Sequence, residues 1–248
     1  MFVLLPPSET KAPGGDGPAL DLSTLSMPTL SDTRKRLVTT LVELAEDPDA
    51  AMAALKLGPR QAGEVERDRR LWESPTMPAL DRYTGVLFDA LDAPSFTSAQ
   101  RRRAAARLGV GSALFGALRA GDMIPAYRLS AASRLPGMGT LAAQWKPDLA
   151  EAIRAAADDG LIVDLRSGGY RALGPVAEAV TATVLTEMPD GTRKVVSHFN
   201  KHHKGLLARS LATAPTAPSD LDGVAHAAES AGMRAEITGA RELAIITN

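Results

Sequence analysis

Cysteine is absent from this 248-residue sequence, which excludes disulfides, thiolate metal sites and cysteine nucleophiles together. That absence suits a reducing compartment, so a cytoplasmic protein is expected. No apolar run approaches the roughly 20 residues of a membrane helix. The opening MFVLLPP is too short for a signal peptide and lacks its basic start, so no membrane partner is expected. Net charge is only −1, and no whole-molecule field draws the chain to nucleic acid or lipid; an anion site must come from local clustering. The P-loop pattern GxxxxGK[ST] is missing. Ser8, Ser130, Ser167 and Ser197 lack a GxSxG context, so a hydrolase triad has no anchor. Aromatics are scarce at 4%.

What is present is an ordinary globular composition, 45% hydrophobic and 23% charged, with ample length for a core. Charge is unevenly placed. Between Asp92 and Asp148 the only carboxylate is Asp122, whereas Arg101, Arg102, Arg103, Arg107, Arg119, Arg128, Arg134 and Lys146 fall in the same span. At its centre lies Gly111–Leu129, GSALFGALRAGDMIPAYRL. Leu114, Phe115 and Leu118 read as one apolar helix face, stopped at Gly121 by a left-handed cap, before the pair Tyr127-Arg128. A second stretch without carboxylates, Gly191 to Ser219, carries Lys201, Lys204 and Arg209.

Strands are expected at Phe2–Leu5, Leu161–Leu165, Val180–Leu185, Lys194–Phe199 and Leu243–Thr247, from short apolar runs bounded by turn residues. Pro189-Asp190-Gly191 is a hairpin signal. Helices are expected from Ser31 or Asp32, from Pro48, over 63–72 with its solvated charge run ERDRR, over 80–91, from Thr97 or Ser98, and over 147–157, 201–211 and 220–231. Arg134–Trp145, RLPGMGTLAAQW, resembles the GhGxxxA turn of helix-hairpin-helix modules, where helix N-terminal amides bind phosphate. The fold class is therefore α/β, or mixed α+β: one domain over residues 1–248, a mixed central sheet surrounded by helices, and a possible helix-hairpin-helix element.

His198, His202 and His203 invite a metal reading, but no carboxylate or cysteine completes a set, and Lys201 and Lys204 repel a cation. No metal or cofactor is expected. Basic residues with neighbouring aromatics at element ends suit a cleft that pairs with phosphates and stacks on bases. Arginines solvating the helices of a GC-rich organism explain the same composition.

The order of PPSETK at Pro6–Lys11, YTG at Tyr83–Gly85, SALFGALRAGDMIPAYRL at Ser112–Leu129, QW at Gln144–Trp145, VDLRSGGY at Val163–Tyr170 and SHFNKHHKGLLAR at Ser197–Arg209 resembles the YaaA family of bacterial peroxide-stress proteins. The resemblance runs nearly end to end. It implies a cytoplasmic protein with a basic cleft, a helix-hairpin-helix DNA-binding reading, and a part in limiting unincorporated iron during hydrogen peroxide stress. Carried over residue by residue, it marks Ser8, Lys11, Tyr83, Arg119, Tyr127, Arg128, Lys201, Lys204 and Arg209 as DNA- or phosphate-binding. Asp122 is marked as the carboxylate that orients the arginines. Phe115 and Ala120 depart from the family's tyrosine and proline, and Glu9 stands where many members have a small residue.

Two functions follow as expectations. In the first, the protein binds duplex or locally unpaired DNA and protects it in oxidative stress. In the second, it is an enzyme acting on a nucleobase, nucleotide or other phosphorylated small molecule, with Lys11 or Lys201 as nucleophile or base. Direct iron binding lacks a ligand set.

Overall fold

The computed structural model describes residues 1–195 and 197–247, without the side chains of residues 197–199. Strand β1 (Phe2–Leu5) is followed by the helices α1 (Ser31–Ala45), α2 (Pro48–Leu55) and α3 (Ala62–Arg69). Next come β2 (Met77–Pro78), α4 (Ala79–Arg82), α5 (Val86–Leu91) and α6 (Ser98–Arg107). The middle of the chain forms β3 (Leu108–Ser112), β4 (Gly116–Arg119), β5 (Met123–Ile124), α7 (Leu141–Trp145) and α8 (Leu149–Ala157). Then follow β6 (Ile162–Asp164), α9 (Gly168–Arg171), β7 (Val180–Glu187) and β8 (Arg193–Lys194). The last elements are α10 (Ser197–Thr213), α11 (Leu221–Ser230), β9 (Arg234–Gly239) and β10 (Glu242–Thr247).

The principal sheet has the order β4-β3-β1-β6-β7-β10-β9, with β8 paired to β7. The run from β3 to β10 is parallel, whereas β4, β8 and β9 are antiparallel additions. The fold is thus mixed α/β around a mixed sheet, as the sequence suggested. Every residue of β1 and β6 is buried, which accounts for the unbroken apolar run of β1, since a parallel strand buried on both faces has no polar face. The ends of the helices follow local chemistry. Asp47 caps α2 through Ala50 N–H with Pro48 behind it, Thr97 and Gln100 form a capping box on α6, and Asp220 caps α11 through Gly223 N–H.

Gly111–Gly121 is not a helix. It is a β-hairpin in which Gly109 pairs with Arg119 and Ser112 with Gly116. Leu114, Phe115 and Leu118 are all buried, so their helical spacing arises from a buried turn and strand rather than one helix face. Gly116 makes the turn at φ +75°, and a Cβ there would lie 2.8 Å from the Trp145 ring. The hairpin is held by Arg34, a wholly buried arginine of α1. It donates to the carbonyls of Phe115, Ala117 and Ser26 at 3.0, 2.8 and 2.7 Å.

No helix-hairpin-helix forms at Arg134–Trp145, nor in the Gly111–Arg128 region that carries the family resemblance. Gly111–Arg128 is this hairpin with its extension, and Gly137 and Gly139 sit in a turn before the five-residue α7. The strand expected at Lys194–Phe199 ends at Lys194, and residues 197–199 already belong to α10; Val196 lies outside the described residues. The missed strand β9 reads as polar because its residues are largely exposed at a sheet edge.

Candidate functional site

A cleft of about 690 Å³ opens at the carboxyl ends of β1 and β6. The connection leaving β1 leads to β3 on one side, and that leaving β6 leads to β7 on the other. Loops therefore diverge between these two strands, which is where open parallel sheets hold ligands.

One wall is the segment after β1. Pro6-Pro7 carries the chain outward, and Ser8 Oγ accepts from Thr10 N–H at 3.3 Å and lies 3.1 Å from Thr10 Oγ1. Thr84 Oγ1 donates to Thr10 Oγ1 at 3.2 Å, and a β-bridge joins Lys11 to Tyr83. Gly85, at φ +103°, lets the Tyr83–Gly85 strand turn into α5 alongside Ser8. The opposite wall is Leu165–Arg171, following β6. Ala182 and Thr183 of β7 and Asn200, Lys201 and Lys204 of α10 close the remaining sides. Among the described residues of the lining Glu9 is the only carboxylate, against Arg166, Arg171, Lys201 and Lys204.

Lys204 Nζ donates to the carbonyl of Leu165 at 3.2 Å. Burial, aided by Arg171, lowers its pKa from the ordinary lysine value to about 8. Lys11 is similarly affected: burial outweighs the opposing Glu9 charge, and its pKa falls to about 8. Its ammonium donates to the carbonyls of Ser8 at 3.1 Å and Glu9 at 3.5 Å. It lies 4.1 Å from the Tyr127 ring centre and 5.3 Å from that of Tyr83. Two lysines at this cleft can thus hold or release a proton near neutral pH.

Beneath Lys11 lies a buried polar chain. Tyr83 and Tyr127 hydroxyls are 2.8 Å apart, and the Tyr127 hydroxyl is 2.7 Å from Ser112 Oγ, which accepts from Phe115 N–H. Burial pushes the Tyr83 phenol up to about 12 and raises that of Tyr127 well above its ordinary value. Asp68 sits beside this chain, fully buried. Its Oδ1 accepts from Arg128 N–H at 2.7 Å, and Oδ2 has no partner among the described residues. Burial drives its carboxyl well above the ordinary value, against the pull of Arg128 and Lys11. The charge run containing Asp68 was expected to be solvated. Val65 and Asp68 instead form the inward stripe of α3, three residues apart.

The marked residues are thereby separated. Ser8, Lys201 and Lys204 line the cleft, and Lys11, Tyr83, Tyr127 and Arg128 stand behind its first wall. Arg128 pairs with the Glu9 carboxylate at 3.2 Å. Arg119 and Arg209 are elsewhere. The first donates to the carbonyls of Ala106 and Ala156 beside the Phe2 ring. The second caps the end of α5 through Leu91 and Asp92 carbonyls and Ser95 Oγ. Among the described residues Asp122 hydrogen-bonds to no guanidinium: its carboxylate accepts from Arg119 N–H and from Ser26 N–H and Oγ.

Besides Arg34, two more buried arginines escaped the sequence reading. Arg82 donates to carbonyls of Ala12, Gly14, Pro75 and Ile124, pinning the glycine-rich tract that reads as a flexible loop. Arg166 is held by Asp164. The available signal was a charged residue directly after an apolar strand, in the VDLRS segment. His202 and His203 rings meet edge to face at 5.4 Å, and the His198 side chain lies outside the described residues. Among the described residues no group of three His, Cys, Asp or Glu could hold a metal ion, and no helix is long and apolar enough to cross a membrane.

The family model described as peroxide stress protein YaaA matches residues 1–229. Among curated relatives, a UPF0246 protein of Corynebacterium efficiens is 49% identical over 246 residues, covering 98% of this chain and 97% of the relative. One from Corynebacterium glutamicum is 44% identical over 240 residues, 95% of each. One from Streptomyces coelicolor is 48% identical over 229 residues, 89% of this chain and 87% of the relative. Strands β9 and β10 lie beyond the residues matched by the family model, whereas the match to the Corynebacterium efficiens relative takes in 98% of the chain. With the profile and these relatives agreeing from β1 to α11, the chain belongs to the YaaA family of peroxide stress proteins.

Proposed function

We propose that the cleft beyond β1 and β6 binds a phosphorylated small molecule of nucleotide size and that the protein acts on it chemically during peroxide stress. The observation that carries this reading is the cleft itself. About 690 Å³ at a strand-order reversal is within the range of small-molecule sites, and its cations outnumber its single carboxylate. Lys201 and Arg171 meet an anion at the mouth. Lys204, with its pKa near 8, serves as the amine that accepts or delivers a proton; Lys11, behind the Ser8–Thr10 wall, is the second such amine. Lys201, which with Lys11 was one of the two lysines expected from sequence as nucleophile or base, is exposed and suits ligand capture better than proton transfer.

DNA binding is the second reading. It is favoured by the first turns of α10, where Lys201, His202, His203 and Lys204 occur with no acidic residue anywhere in the helix. Arg119 and Arg209 add nothing to such a track, because their guanidinium groups are taken by protein carbonyls. Protection against iron-driven damage then follows from the ligand bound rather than from iron ligation.

The deciding experiment titrates the purified chain with nucleoside monophosphates and sugar phosphates, and in parallel with duplex, bubble and single-stranded DNA at 50 and 200 mM salt. Saturable small-molecule binding abolished by Lys204→Met supports the first reading. DNA affinity that falls about 10³-fold or more across that salt range, with no small molecule bound, replaces it with the second.

A further inference from the structure

Two polar atoms of cleft-lining residues are buried without a hydrogen-bond partner among the described residues: Arg166 Nη1 and Asn200 Oδ1. Buried donors and acceptors are ordinarily satisfied, so each such atom raises the question of what completes it. One is a donor and the other an acceptor.

Arg166 is 1% exposed and is held on all other sides. Its backbone N–H and Nε donate to Asp164 Oδ1 at 3.0 and 2.9 Å, and Nη2 donates to Asp164 Oδ2 at 2.7 Å and to the Gly174 carbonyl at 2.9 Å. The guanidinium plane is therefore fixed, and Nη1 alone is left over. The aliphatic stem crosses Gly111 of β3, where a Cβ would come within 2.9 Å of Arg166 Cδ, so the side chain has no slack. An arginine restrained in this way has lost its rotamer entropy before any ligand arrives. Because Asp164 neutralises it, Arg166 contributes direction more than charge; the net positive charge of the cleft comes from Arg171, Lys201 and Lys204.

We propose that Arg166 and Asn200 read a phosphomonoester at two points: Nη1 donates to its phosphate, and Asn200 Oδ1 accepts from a hydroxyl or N–H of the same molecule. This deepens, and rests on, the reading of the cleft as a small-molecule site. A nucleoside monophosphate and a sugar phosphate share the required chemistry. Inorganic phosphate and an unphosphorylated nucleoside each satisfy one point only.

The test is calorimetric titration of the full chain with four probes: inorganic phosphate, adenosine, adenosine 5′-monophosphate and glucose 6-phosphate. Wild type binds one of the two esters at least about tenfold more tightly than phosphate or adenosine, as expected for an added hydrogen bond to a charged or buried partner. Whichever ester is preferred identifies the source. Asn200→Ala lowers affinity for that ester about tenfold and leaves inorganic phosphate unchanged, whereas Arg166→Lys weakens both. Circular dichroism checks that the variants fold; if Arg166→Lys does not, the Asn200→Ala split between ester and phosphate still decides. Ester binding that survives both substitutions but is lost in Lys204→Met overturns the two-point reading and leaves the cleft assignment standing. Absence of saturable binding by every probe overturns both.

Discussion

Gly205 offers a stability test in which two familiar effects have opposite signs. It lies inside α10, where exchanging glycine for alanine ordinarily gains about 1 kcal/mol from reduced backbone entropy. Here α10 crosses α5 so closely that an added Cβ would overlap the Leu87 carbonyl oxygen and lie 2.7 Å from Ala90 Cβ. Carbon atoms in ordinary contact are about 3.5–4.0 Å apart, so the helices must separate by roughly 1 Å. Neither obstacle is the free end of a flexible side chain. Overpacking costs about 1–3 kcal/mol; a main-chain obstacle puts this site in the upper part, about 2–3 kcal/mol, and the propensity gain of about 1 kcal/mol leaves Gly205→Ala less stable by about 1–2 kcal/mol. In a chain of this size that is a fall in Tm of roughly 2–8 °C. Gly63, near the start of α3 with nothing within 4 Å of its Cβ position, is the control: Gly63→Ala should be neutral or stabilising by up to about 1 kcal/mol. Urea denaturation followed by circular dichroism reads both, with unchanged m values required for the comparison. A Gly205→Ala protein as stable as wild type would refute the argument from close helix approach.

Other outcomes follow from the buried polar groups. Tyr127→Phe should destabilise by about 1–3 kcal/mol and by more than Tyr83→Phe, because Tyr127 sits between Tyr83 and Ser112 whereas Tyr83 ends the chain; thermal denaturation of both variants measures the order. Asp68 has its folded-state pKa raised, so the wild-type fold loses stability as pH rises from the unfolded carboxyl value near 4 through the raised one. Asp68→Asn should therefore match or trail wild type at low pH and overtake it as pH rises, and parallel denaturation curves from pH 4 to 9 that never converge or cross would contradict this. Lys204, with a pKa near 8, loses its charge as pH rises through that value. Affinity for a phosphorylated probe should accordingly fall between pH 7 and 9, a loss that Lys204→Arg removes.

Much of the parallel sheet was legible because its strands carry short apolar runs bounded by proline, glycine or charge, such as Phe2–Leu5 of β1, Ile162-Val163 of β6 and Leu243–Ile246 of β10. The hairpin β3–β4 was not, because residues buried on every side show no alternation, and the spacing of Leu114, Phe115 and Leu118 fits a helix equally well. The site divided along similar lines. Lys201 and Lys204 lie three residues apart in α10 and both line the cleft, so composition found them. Arg119 and Arg209 have the same composition around them but point at main-chain carbonyls, and sequence carries no sign of which acceptor an arginine meets. Asp68 and Arg166 were hidden for a complementary reason: a buried charge looks like a surface charge until the packing of α3 and the close approach of Arg166 to Gly111 are known.

The pairing of β1 also constrains how the protein comes to exist. Residues 2–5 find their neighbours in residues 108–112 and 162–164, so this central strand is without a partner until segments far down the chain have been made. Such distant contacts slow folding, because the loop entropy is lost before the contacts that compensate it are gained. The cleft lies at the β1–β6 seam, the later of the two β1 pairings to become available along the chain. Ligand-binding competence should therefore appear together with the complete sheet, and fragments ending before β6 should leave an apolar strand exposed and contain no site at all.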